Sequence, residues 1–410
     1  MRSLVWPWLL AVVGAFALVS ACGGEDEPSS SSSATATRGP TAQLGDIGPG
    51  ITDTEIRLGI ANDVSATSET PHAAVGLAIS AYFAMVNQEG GGVCGRELVL
   101  VLEDDTSSER DQIAAFIGNV RPDVAQQDPP DLFVDIDMDY VTESDTVPTI
   151  VFRPSYEADG QILGGYINDN LAGQTAATLY QDDDFGRSGR DAFTGEFAGD
   201  IVAEESYEST ATDINSQLAT LRNAAPDILY LYSTPVFTAL AFAYMTQNDW
   251  HPLVVMSYVN SAATLASSIG GGTEVAQITA GFAAIAGSIS NNYILDPVAD
   301  ADDPALVEHI RIMETYNGPP VSKPSVNAQA IAETVVQTLD IACENDDLSR
   351  SGMVAAAASL NGFHPSVLRE DIELMISETD HSAIQSLIPV QIRADGTLAP
   401  LVTEPIEAGG

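Results

Sequence analysis

Between Gln174 and Asn260 the chain alternates short apolar runs with single amphipathic stretches, and this alternation constrains the fold more than any other feature. Thr175 to Tyr180, Ile201 to Tyr207, Pro226 to Tyr232 and Pro252 to Tyr258 read as strands. Between them, Ile214, Leu218, Leu221 and Ala225 form one helical stripe, and Phe237, Leu240, Tyr244 and Met245 form another. Strands separated by one helix each cannot close as hairpins, so they run parallel and are covered on both faces. The right-handed crossover rule then predicts a doubly wound sheet. Its ligand edge is where the strands end, and the loops there are Gln181 to Gly189, Ser233 to Pro235 and Ser257 to Ser261. They mix aromatic rings with small hydroxyl and amide groups, the lining a small polar organic ligand needs.

A second unit of the same kind precedes this one. Glu55 to Ile60 and Glu97 to Leu102 read as strands around a helix bearing Val75, Ile79, Tyr82, Phe83 and Val86, which Gly90-Gly91-Gly92 terminates. Ile113 to Val120 is expected to start another helix, Asp131 to Ile136 to form a strand, and Val147 to Phe152 to lead out of the unit. Beyond Asn260, Gly281 to Tyr293 reads as a return crossing, with helices around Val307 to Tyr316 and over Val326 to Cys343. Leu387 to Arg393 and Thr397 to Leu401 read as a closing pair of strands.

The start of the chain is read as a targeting segment. Arg2 precedes an apolar run from Leu4 to Val19, too short for a comfortable membrane span and followed by small residues, which is the layout of a secretory signal. Val19-Ser20-Ala21-Cys22 resembles a lipoprotein cleavage box, in which Cys22 is acylated and becomes the first mature residue; a plain signal with an incidental cysteine is the alternative. From Gly23 to Gly50 the sequence is polar, without apolar period, and is expected to act as a flexible tether. Outside the cytoplasm Cys94 and Cys343 are either bridged or two buried thiols. Both fall at the amino-terminal ends of strands, opposite the ligand loops.

Charge excludes several partners. With 58 acidic residues against 15 basic ones, of which only Lys323 is a lysine, no basic footprint exists for nucleic acid, and anionic membrane surfaces are disfavoured by the same sign. Asp135, Asp137 and Asp139 alternate as in a cation loop, but Tyr140 stands where the calcium motif needs glycine and Thr146 where it needs glutamate. The five histidines lack metal-ligand spacing, and there is no phosphate loop. No metal, cofactor or catalytic group is expected.

Taken together, four stretches resemble the type I periplasmic solute-binding proteins of the leucine/isoleucine/valine-binding kind, the receptor subunits of ABC importers. They are Ile51 to Gly59, Gly91 to Arg96, Pro154 to Gly160 and Leu179 to Gly186. The resemblance implies two doubly wound α/β lobes joined by a three-crossing hinge, with a solute enclosed on closure. It divides the chain into a signal (1–21), a tether (22–50), lobe I (51–153 and 284–382), lobe II (154–283), and closing strands of lobe II with a tail (383–410). It carries ligand contacts onto Phe185 and Thr234, with Tyr232 and Ser233 beside the latter. Asn62, Asp63 and Ser65 offer contacts from lobe I. Asp135 and Asp137 occupy a ligand loop that is usually small and neutral, and Tyr258 and Asn260 stand where the family holds an ammonium with an acid. The implied protein is a monomer, anchored to the membrane through lipid only, that hands a branched-chain amino acid or a related amide or aromatic compound to a permease; a sensor or interaction lipoprotein is the alternative. Relative to the family, a third strand and helix are expected to be missing between Val120 and Asp131.

Overall fold

The computed structural model describes residues 46–61, 71–103, 114–117, 132–135, 149–376 and 382–409. Its smaller sheet contains β2 (Glu55–Ala61), β3 (Glu97–Glu103), β4 (Ala115–Ile117), β5 (Leu132–Asp135) and β6 (Thr149–Val151), in the order β3-β2-β4-β5-β6, all parallel. Helix α1 (Pro71–Met85), extended by a wide turn at Val86–Gly90, connects β2 to β3. A short parallel pair, β1 (Asp46–Ile47) with β12 (Asp347–Leu348), lies outside this sheet.

The larger sheet is built as its sequence alternation requires. Its parallel strands are β7 (Ala176–Gln181), β8 (Ile201–Tyr207), β9 (Ile228–Tyr232), β10 (Leu253–Met256) and β11 (Ile289–Asn292); β13 (Ser386–Ile392) and β14 (Leu398–Pro400) extend it antiparallel, and β15 (Ile406–Glu407) pairs with β13. Every residue of β9 is buried, which is why this central strand is a continuous apolar run and not an alternating one. Helices α2 (Tyr156–Asn170) and α3 (Asp184–Glu196) cover one face. The other is covered by α4 (Asn215–Asn223), α5 (Pro235–Gln247), α6 (Ala262–Gly270) and α7 (Val275–Ile285). Their starts follow capping rules: the Ser155 hydroxyl accepts from the Ala158 amide at 2.8 Å, Asp183 accepts from Gly186 at 3.0 Å, and Pro235 opens α5.

Three crossings join the sheets. The first leaves β6 and enters α2. The second leaves β11 and is held by bonds of Leu295 to Val367 and of Arg369 to Tyr293, 2.9 and 3.0 Å. The third enters β13 beside the first, with Ala383 donating to the Val151 carbonyl at 2.8 Å. Between the last two crossings lie α8 (Pro304–Thr315), α9 (Lys323–Glu344) and α10 (Arg350–Ala357), and α9 packs along α1. The apolar core is continuous across the hinge, running from Tyr258 and Tyr293 to Val326 and Ile331.

Two sequence readings are corrected. Ile113 to Val120 does not begin a helix: β4 lies there, paired with β2 and β5, so the third strand is present and not lost between Val120 and Asp131. A short apolar run such as Ile113 to Ile117 has no period to separate a buried strand from a helix, and Ala114, Ala115 and Ile117 are all buried. Second, β11 is part of the larger sheet, so the chain leaves that sheet at Asn292 and not at 283. The strand Ile289-Ser290-Asn291-Asn292 is too short and too polar to announce itself by propensity.

Cys94 and Cys343 form a disulfide with Cα atoms 6.2 Å apart, joining the turn before β3 to the last turn of α9. The turn is also held by Arg96, buried to 1% exposure, whose Nε donates to the Thr52 carbonyl at 2.7 Å and Nη1 to the Cys94 carbonyl at 3.2 Å.

Candidate functional site

The carboxyl ends of β7, β9, β10 and β11 converge on one edge of the larger sheet, beside the crossings. Phe185, in the first turn of α3, meets Tyr156 and Tyr232, each with its ring centroid 4.9 Å away, and those two lie 6.1 Å from each other, so the three rings close a triangle. Tyr232 has no exposed surface; its ring lies under α3, and its hydroxyl donates to the Tyr156 carbonyl at 3.3 Å. Tyr230 and Tyr232 are two residues apart and so share the α3 face, stacked behind Phe193 and Phe185. Tyr232 therefore supports Phe185 from beneath and does not line an open rim.

The loops after β9 and β10 are tied together. The Ser233 and Thr238 hydroxyls lie 2.6 Å apart, and the Asn260 amide donates to the Ser233 and Ser257 carbonyls at 3.0 and 3.4 Å. The Thr234 backbone donates to the Tyr207 hydroxyl at 3.2 Å, and Tyr207 donates to Gln181 at 3.4 Å. Burial pushes the Tyr207 phenol up to about 12, so it remains a neutral donor at all ordinary pH. At the outer rim Arg187 bridges Asp182 and Asp184 at 2.7 and 3.1 Å, and Gln181 is bonded to Asp183. These exposed pairs neutralise part of the acidic run without making a cation site.

Tyr258 joins the two lobes. Its hydroxyl donates to the Pro154 carbonyl at 2.8 Å in the first crossing, and its ring meets Tyr293 of the second crossing edge-on, centroids 5.5 Å apart. Its carbonyl accepts from Lys323 Nζ at 3.0 Å, and Lys323 opens α9 on the lobe I side. Burial lowers the Lys323 pKa, with Asp296 and Asp159 opposing that shift. Tyr293 donates to Asn327 Oδ1 at 2.9 Å. The only lysine of the chain thus reaches from one lobe to a ligand-edge loop of the other.

Asp159, fully buried in the first turn of α2, accepts from the Tyr258 amide at 3.3 Å and from Asn291 Nδ2 at 2.8 Å. Burial outweighs these bonds and raises its pKa from 3.8 to about 6. The native state therefore binds more protons than the unfolded chain between those values, and stability falls as pH rises from about 4 to about 6, flattening above. The span corresponds to about 3 kcal/mol. Denaturant unfolding of the wild type and Asp159→Asn across pH 4–7 reads this directly: the difference between the two should change over that window, and a constant difference contradicts the assignment.

Sequence reasoning did not single out Asp159, Asn291, Asn292, Lys323 or Asn327 as site groups. The signals were present as the isolated lysine and as two adjacent amides ending an otherwise apolar unit. Of the residues it did single out, Phe185, Tyr232, Ser233, Thr234, Tyr258 and Asn260 gather at this edge. Asp135 ends β5, in register with Val151. Asn62, Asp63, Ser65, Asp137 and Cys22 lie outside the described residues. Among the described residues no group of His, Cys, Asp and Glu is placed to hold a metal ion, and no helix is long and apolar enough to cross a membrane.

Comparison with known proteins places this arrangement. A periplasmic binding protein family profile matches residues 55–397. None of the curated proteins matches. Among solved structures, the chain is similar to a fatty acid ABC transporter substrate-binding protein from Thermomonospora curvata, at 22% identity and TM-score 0.69, covering 89% of this chain and 95% of that one. It is similar to a branched chain amino acid ABC transporter protein from Thermus thermophilus with bound valine, at 15% identity and TM-score 0.70, covering 88% and 98%. A leucine binding protein from Thermotoga maritima superposes at TM-score 0.61 with 14% identity, covering 85% and 98%. At these identities the likeness is one of fold.

Proposed function

Because the chain belongs to the periplasmic binding protein family, we propose that it is an extracytoplasmic solute receptor that captures a small polar organic molecule by lobe closure and presents it to an ABC importer. The observation that carries this reading is the hinge: three crossings joining two α/β lobes, with the ligand edge of the larger sheet at the junction. Contacts that a solute makes only with the closed form draw the equilibrium toward closure, and the permease reads that form. Phe185 supplies a ring to the solute, with Tyr232 bracing it from below. Ser233, Thr234, Tyr258 and Asn260 position it from lobe II, and Asn62, Asp63, Ser65, Asp135 and Asp137 complete the enclosure from lobe I. Cys22 carries the lipid, residues 22–50 tether a monomeric receptor to the membrane, and the receptor performs no catalysis.

A solute that binds only the folded state raises its stability by mass action, about 2.7 kcal/mol at a hundredfold excess over Kd. Thermal unfolding against amino acids, amides and aromatic acids should show a rise in Tm for one chemical class, reduced by Phe185→Ala. A flat response to every class removes the transport reading and favours an interaction protein on the same fold.

A further inference from the structure

The floor of the larger sheet, at the amino-terminal ends of its strands, holds a cavity of about 300 Å³. It lies where α5 and α7 end and where β10 and β11 begin, so the length of the strands separates it from the ligand edge. Phe242, Met245 and Val254 form its buried base, at 4, 5 and 5% exposure. Trp250 and the exposed His251 stand at its mouth, and Ala284 and Ala286, both exposed, line the side made by α7. That volume is at the small end of ligand sites and takes one ring with a short arm.

The end of α7 is electrically open. The last carbonyls of a helix lack intrahelical donors and carry the negative end of its dipole. Here the Gly287 amide donates to Ile392 of β13 at 2.9 Å and the Ser288 amide to Ile285 at 3.2 Å. The carbonyls of Ala283 and Ala284, which those amides would serve in a continued helix, have no hydrogen-bond partner among the described residues. The end of α5, at the same cavity, is closed instead: Thr246 Oγ1 donates to the Phe242 carbonyl at 2.9 Å, Asn248 Nδ2 to Tyr244 at 2.9 Å, and the Trp250 amide to Met245 at 3.0 Å.

The mouth adds an aromatic face. Trp250 is braced edge-on by Tyr244, centroids 6.5 Å apart and planes at 89°, and an indole face attracts cations more than other rings do. Neither lysine nor arginine lines the cavity or occurs between Ser233 and Leu295. Charges approach from its surroundings. The Asp249 carboxylate is 2.9 Å from His251 Nε2, Arg222 reaches Asn248 Oδ1 at 3.4 Å, Asp227 precedes β9 and accepts from the Leu253 amide at 2.9 Å, and Arg393 and Asp395 share the turn after β13. These are three acids against two guanidinium groups, in a chain of net charge −43, so the surrounding field draws cations and repels anions.

We propose that this cavity is a binding site, distinct from the ligand edge, for a primary ammonium carried on a small aromatic or apolar body. The ammonium donates to the open carbonyls at the end of α7, and the body packs against Trp250 and Phe242. The receptor reading above stands or falls without it.

Trp250 provides the test. The other two tryptophans, Trp6 and Trp8, stand near the start of the chain, so the difference in emission between the full chain and Trp250→Phe isolates the indole at the cavity. Phenethylamine, protonated at neutral pH, should change that emission saturably, binding about tenfold or more tightly than its neutral counterpart 2-phenylethanol and its anionic counterpart phenylacetate. Ala284→Arg sets a guanidinium at the open helix end and should weaken the amine by about tenfold or more. Ala284→Glu, of similar bulk and opposite sign, should not weaken it, and at this exposed position neither substitution disturbs the core. No saturable change with phenethylamine, equal affinity for the alcohol or the acid, or equal weakening by the two substitutions overturns the assignment. None of those results bears on the thermal response to solutes at the ligand edge.

Discussion

Removing the Cys94–Cys343 bridge, by Cys94→Ser with Cys343→Ser, is expected to lower unfolding stability by about 5.5 kcal/mol in the chain-entropy account, and Tm by about 7 °C. The bridge spans 249 residues, which include the whole of the larger sheet's parallel portion, so in the unfolded chain it restricts a very long loop. In the folded chain its loss leaves the local turn intact, because Arg96 holds that turn through Thr52 and Cys94 carbonyls. The effect therefore acts chiefly through the unfolded state, and the slope of denaturant unfolding should change along with its midpoint. Equal midpoints for the double variant and the oxidised wild type would contradict this.

Gly189→Leu is expected to cost about 3 kcal/mol and to weaken solute binding at the same time. A Cβ at this position would lie 2.1 Å from the Tyr232 ring, so α3 must move or the ring must turn. Neither is free. Tyr232 is packed between Phe185 and Tyr156 and bonded through its hydroxyl to the Tyr156 backbone, while α2 and α3 are already in backbone contact at Gly160, where a Cβ would come within 2.5 Å of the Gly189 carbonyl. Displacing α3 shifts Phe185 with it, which connects a packing fault to the ligand edge. Chemical denaturation and solute-dependent Tm, measured on one preparation, separate the two consequences. Wild-type stability with intact binding would show that the aromatic layer is looser than the structure implies.

What the sequence disclosed and what it concealed follow from the same physics. Central strands such as Ile228–Tyr232 are apolar throughout because both faces are covered, and helices such as Pro235–Gln247 carry capping and period together, so both are readable. Strand β4 is three residues long and β11 ends in two asparagines; neither offers a pattern long enough to outweigh its neighbours. The ligand edge was legible as loops but not as side-chain directions. Tyr232 and Phe185 look equivalent in sequence, yet one braces and the other caps, a difference set by which face of β9 the strand's final residue takes. The hinge groups were invisible for another reason. Asp159 meets Asn291 across 132 positions, and Lys323 meets Tyr258 across 65, and no local pattern encodes such pairs.

Closure of the two lobes around a solute shortens the distance between them. Spin labels on the exposed residues Asp191 of α3 and Glu314 of α8 would report it by pulsed dipolar spectroscopy, with and without the solute identified by its thermal response. A broad distance distribution is expected without solute, narrowing and shortening as solute is added, in proportion to occupancy. One unchanged distance across the titration, with the solute demonstrably bound, would contradict it.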